Sequence, residues 1–207
     1  MRGLASLAER RAAARADALR QWLASESASA RRAASARHLL YVSVAEFVLR
    51  RGRAFETGRL SDAERRGAAR IARWCRDEHN GFKFGQPFWN TRRAFEFDVL
   101  DQFQYVEGFV LDEGETVPRA HAWLSTIAND AVVDFTGPSG RKRRAGNFPT
   151  IVLGEFVERS YFGVVLPRDI VLSTGSQSFL EPTKPFAQTL DGSNLQPACP
   201  CSTDGKV

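Results

Sequence analysis

The sequence predicts an α+β fold: N-terminal helices followed by a small antiparallel sheet packed on a helix. Three features point there. Apolar residues recur at helical spacing through the first half of the chain. An alternating run of aromatic and β-branched residues begins at Phe103, and short turn signals separate the runs that follow it.

Taken in order, Leu4, Leu7, Ala12, Ala14, Leu19, Trp22 and Leu23 predict a weakly amphipathic helix to about Ala24. The Ser/Ala/Arg stretch over 25–36 reads as a joint or a second helical piece. Leu39, Leu40, Val42, Val44, Phe47 and Val48 form a broader apolar face that ends at Arg50-Arg51-Gly52. Ser61-Asp62-Ala63-Glu64 is a capping box, in which hydroxyl and carboxylate each satisfy the other residue's amide. The helix it opens should run to about Asp77 and bury Ala68, Ile71, Ala72 and Cys75, with Cys75 as a small core residue.

Pro87 suits the first turn of a helix, where its missing N–H costs nothing, and Phe88, Arg92, Phe95 and Val99 continue that helix to about Leu100. Residues 103–111 then read as a strand with Phe103, Tyr105, Glu107, Phe109 and Leu111 on one face. A turn over 112–115 leads to a second strand at 120–127, and Asn129-Asp130 turns into a third at 131–135. A basic loop over 137–148 holds Arg141, Lys142, Arg143 and Arg144. Residues 151–157 suit strand or short helix, and 161–166 suit a strand. Beyond Ser173 the composition predicts a loose tail. The expected organisation is a basic helical extension over 1–36, an α+β domain over 37–173 and a tail over 174–207.

Composition narrows the function classes. The 207 residues have room for one ordinary domain with extensions, and 43% hydrophobic content excludes wholesale disorder. The longest apolar stretch, 39–49, is broken by Ser43 and Glu46 and is well short of the roughly 20 residues a membrane helix needs. No membrane partner is expected. Residues 1–73 carry 16 arginines against seven acids, which allows a nucleic acid or acidic partner, although a solvated helical surface is the commoner meaning of such a bias. Cys75, Cys199 and Cys201 make no disulfide framework, and Cys199-Pro200-Cys201 without histidine nearby is a poor zinc site, so no metal or cofactor is expected. Glu9, Asp17 and Glu26 argue against a targeting presequence, and a reducing, cytoplasmic setting is the expectation.

Tyr105-Val106-Glu107-Gly108-Phe109, then His121-Ala122-Trp123, then Val132-Val133-Asp134-Phe135-Thr136 follow a helix in the order that resembles the transglutaminase-like core of the papain-like cysteine fold. The resemblance spans about Gln86 to Gly163. It implies a relay in which a cysteine at the helix start is the nucleophile, the histidine its base and the aspartate the group that orients the imidazole. His121 and Asp134, thirteen residues apart across a hairpin, match the last two positions.

The cysteine is missing. Where the family pattern has it, this chain has Gly85-Gln86-Pro87, and proline removes both the thiol and a backbone N–H that would help stabilise an oxyanion. The resemblance therefore implies a catalytically altered or inactive domain binding a peptide or small ligand in a cleft near His121 and Asp134. Gln86, Pro87, Trp89, Asn90, Glu107 and Trp123 are the candidate lining. One alternative is an amide or ester hydrolase with His121 as general base and a displaced hydroxyl such as Thr91 or Ser125. Another is a basic interaction protein. His121 could also be simply a hydrogen-bonded core histidine.

Overall fold

The computed structural model describes residues 6–33, 41–55, 60–78, 82–83, 85–98, 101–136, 152–153, 159–173 and 178. Helix α1 (Leu7–Ala33) runs straight through the expected joint. Its Leu19 and Leu23 are buried in the main core, so it packs on the chain's own sheet rather than standing apart as an extension. Helix α2 (Val44–Arg51) starts at Ser43, whose hydroxyl accepts from the Glu46 amide at 3.1 Å. Glu46 ties α2 back to α1: its buried carboxylate accepts from the Val42 amide and pairs with Arg31 of α1 and Arg50.

Helix α3 (Asp62–Glu78) follows a short strand β1 (Arg53–Phe55). It opens with the expected capping box: the Ser61 amide donates to Glu64 at 2.7 Å, and the Glu64 amide to Ser61 at 3.3 Å. Helix α4 (Pro87–Glu96) has Pro87 in its first turn and ends four residues before the expected Leu100. Strands β2 (Phe103–Asp112), β3 (Arg119–Thr126), β4 (Val132–Asp134), β5 (Val152–Leu153) and β6 (Arg159–Leu166) follow, then a short helix α5 (Arg168–Ser173). The architecture is α+β. One antiparallel sheet has the order β1-β6-β2-β3-β4-β5. Among the described residues no helix is long and apolar enough to cross a membrane.

The two faces of the sheet differ in what they bury. Leu19 and Leu23 of α1, Phe47 and Val48 of α2, Ile71 of α3, Phe95 of α4 and Val171 of α5 all share one core with Tyr105, Phe109, Leu124 and Phe162. On the other face, Phe55, Val106, Val110, Trp123, Val132 and Tyr161 form a second cluster that contains only strand residues.

Curvature explains how strands alone close that second cluster. Strands lie about 4.8 Å apart, so β1 and β3, three places apart in the sheet, would be about 14 Å apart if the sheet were flat. Yet the rings of Phe55 on β1 and Trp123 on β3 are 5.5 Å apart, and Arg53 pairs with Asp130 beyond β3 at 2.7 Å. The sheet therefore curls, with its helices on the convex side and the second cluster inside. Two glycines facing each other in the β2–β6 register, Gly108 and Gly163, clear the middle of the concave side. A Cβ on Gly163 would come 2.6 Å from the Trp123 indole, and one on Gly108 would come 2.2 Å from the Phe162 carbonyl.

Candidate functional site: a buried His–Asp–Arg–Tyr cluster

The β3–β4 register pairs Leu124 with Val133, which puts Asp134 opposite Trp123 and His121 on the diagonal of the same face. The expected pair forms: His121 Nε2 lies 2.8 Å from Asp134 Oδ2, and both side chains are buried. A carboxylate only accepts, so Nε2 is the donating nitrogen.

Asp134 serves three further groups. Its Oδ2 also accepts from Arg159 Nη1 at 2.7 Å and from the Tyr161 hydroxyl at 3.0 Å, while Oδ1 accepts from the Thr136 amide at 2.7 Å. Burial pushes the Asp134 carboxyl up, but His121, Arg159 and the Thr136 amide outweigh it and hold the group below the ordinary aspartate value. For the Tyr161 phenol, burial and then the Asp134 charge act together and raise it well above its usual value, so it stays a donor. Arg159 also donates to the Thr136 carbonyl at 3.2 Å and sits 2.6 Å from Asp112 through Nε.

Arg159 and Tyr161 were not among the residues singled out from the sequence. A signal existed: arginine in a strand that is otherwise apolar must find a carboxylate, since an unpaired buried charge is strongly unfavourable. Choosing Asp134 as that partner required the curl, because β6 and β4 are three strands apart in the sheet.

The expected cleft does not assemble. Of the candidate lining, Trp123 alone shares the face of His121. Alternation along β3 decides this: Ala122 and Leu124 belong to the helix-side core with Ala94 and Phe95 of α4, so His121 and Trp123 point the opposite way. Glu107 is also on the helix side. It lies opposite Ala122 in the register, not His121, and accepts from the Tyr105 hydroxyl at 2.9 Å and from Ser178 at 2.8 Å.

At the start of α4, Gln86 is exposed and Trp89 is half-buried under the Lys83 ammonium, 4.2 Å above its ring. Asn90 is buried and structural, bonded to both backbone groups of Lys83 and donating to the Thr136 hydroxyl at 3.1 Å. Thr136 is therefore the one link from the helix that Pro87 opens to the carboxylate of Asp134.

The candidate nucleophiles are equally displaced. The Thr91 hydroxyl donates to the Ala122 carbonyl at 2.9 Å, and Ser125 accepts from Gln104 at 2.9 Å, four residues and about 13 Å along the strand from His121. Cys75 is buried in the helix-side core, and burial pushes its thiol up to about 12. With Cys199 and Cys201 replaced by serine, iodoacetamide at about pH 8 is expected to leave Cys75 unmodified in the folded protein and to label it fully in urea. Labelling of the native protein at the rate of a free thiol would contradict this placement.

Several arginines of the basic N-terminal half are committed internally, Arg31 and Arg50 to Glu46 and Arg53 to Asp130. Arg141, Lys142, Arg143 and Arg144, with Cys199 and Cys201, lie outside the described residues. Among the described residues no group of three or more His, Cys, Asp or Glu side chains is arranged to hold a metal ion. Comparison with protein-family models, with curated proteins and with solved structures finds no match for this chain.

Proposed function

We propose that this protein is a transglutaminase-like domain without catalytic activity that binds a peptide or small ligand beside the His121–Asp134 cluster. The observation that carries the reading is the setting of His121: its Asp134 partner is in place at 2.8 Å, while α4, with Pro87 at the nucleophile position, packs on the other face of the sheet. A relay needs a nucleophile within hydrogen-bond reach of the base. Cys75, Thr91 and Ser125 are all held elsewhere. Asp134, bonded to four donors, is suited to holding a curled sheet together and setting the wall of a binding site, not to cycling a proton.

The test is a pair of assays on wild type and His121→Ala. One follows hydrolysis of p-nitrophenyl acetate, and the other follows amine transfer to a glutamine-containing peptide. Both proteins are expected to stay at the uncatalysed rate. Saturable turnover by the wild type, lost in His121→Ala, would overturn the reading in favour of a hydrolase with His121 as general base.

A further inference from the structure

We propose that a cavity between α1 and the β1–β6 edge binds a small neutral molecule through its carbonyl oxygen, with Arg159 as the donor. This rests on the reading of the protein as a binder and names the site and the class of ligand.

The cavity encloses about 320 Å³, at the small end of the roughly 300–1,000 Å³ typical of ligand sites. Ala12 and Ala16 of α1 form one wall, and their short side chains leave the space open. Phe55 and Tyr161 supply apolar walls, and Arg159 lines it as well. Arg159 is 4% exposed. Its Nη1 is bonded to Asp134 and the Thr136 carbonyl, and its Nε sits against Asp112, but its buried Nη2 has no hydrogen-bond partner. A buried donor left unsatisfied costs on the order of 1–3 kcal/mol, and an acceptor placed in the cavity removes that penalty.

Charge decides what kind of acceptor fits. The Arg159 guanidinium already faces two carboxylates, Asp134 and Asp112, and the second of these is shared with Arg119. At the cavity's exposed rim sits Glu9, whose carboxylate accepts from the Ser6 amide at 2.6 Å. No surplus positive charge remains for an anion, and a carboxylate ligand would be a third negative group around one guanidinium. An amide or ketone oxygen takes the Nη2 proton without that repulsion, and its apolar body lies against Phe55 and Tyr161.

Benzamide and benzoate have the same shape and differ in charge, so they separate the two cases. With the full chain, alanine-methyl NMR is expected to show benzamide shifting Ala12 and Ala16 saturably, and benzoate requiring at least about tenfold higher concentration. Ala16→Leu fills the cavity from a helix position that accepts leucine and should abolish the shift. Ala12→Leu is the second filling variant should the first fail to fold. Benzoate binding as tightly as benzamide, the absence of any shift at these methyls, or unchanged benzamide binding in a folded filled variant would each overturn the proposal. Release of ammonia from benzamide, lost in His121→Ala, would instead overturn the non-catalytic reading and leave the site standing. Binding without turnover supports both.

Discussion

Asp134→Ala is expected to destabilise the protein by about 3–5 kcal/mol, the range for breaking a buried ion pair from one side. For a chain of this size that lowers the melting temperature by roughly 10 °C or more. The size of the effect comes from what is left behind. Four donors lose their acceptor at once: His121 Nε2, Arg159 Nη1, the Tyr161 hydroxyl and the Thr136 amide. Arg159 keeps Asp112 as its one carboxylate. Asp134→Asn keeps the shape and one acceptor oxygen but not the charge, so it should be less severe while still clearly destabilising. Urea denaturation of the three proteins orders them. A loss below about 1 kcal/mol for alanine would mean that the cluster is solvated and that the curl is held by other contacts.

Acid should narrow the gap between wild type and variant. The carboxyl of Asp134 is depressed in the folded state, so its stabilising contribution is fully present above the unfolded value near pH 3.9. As the pH falls through the lower folded value that contribution disappears. Asp134→Ala has nothing to lose there. The stability difference is therefore expected to be full at neutral pH and to shrink only below about pH 4. A difference that shrinks between neutral and mildly acidic pH instead would point to a group other than this carboxylate.

What the sequence disclosed follows the range over which each signal acts. The Ser61–Glu64 box, the Pro87 start and the alternation along β2 are local, and each appears where local chemistry puts it. The His121–Asp134 pair was legible because a hairpin turn fixes its spacing. Helix α1 continues to Ala33 rather than stopping near Ala24, because a distant contact, Arg31 to Glu46, anchors its second half. Strand β1 is three residues long, too short to show a period, and it exists through its pairing with β6. The misplaced lining of the site has a single cause. Side chains on adjacent strands share a face only when they sit in register, and Gly108, not Glu107, is the residue opposite His121. Arg159 and Tyr161 depend on the curvature of the whole sheet, which no local pattern encodes.

Trp123 tests that curvature most directly, and Trp123→Ala is expected to cost about 3–5 kcal/mol. Its indole is fully buried among strand residues, edge-on to Phe55 at 5.5 Å and to Tyr161 at 5.1 Å, and it lies across the gap cleared by Gly163. Truncation opens a cavity that the strands cannot close without flattening the sheet, and flattening would pull Tyr161 away from Asp134. Trp123→Phe should behave differently. The indole Nε1 has no hydrogen-bond partner, so phenylalanine gives up part of the ring but also removes a buried unsatisfied donor. Its cost is expected to be about 1–2 kcal/mol, well under that of alanine. Urea titrations of both variants give the comparison. Equal losses would mean that the N–H, not the ring, is what the concave face needs. Because Trp123 and Asp134 both act through Tyr161, the double variant Trp123→Ala, Asp134→Ala should lose less than the sum of the two single losses. Strict additivity would show that the curl and the ion cluster are independent, and the cavity wall built from Arg159 and Tyr161 would then owe its shape to the curl alone.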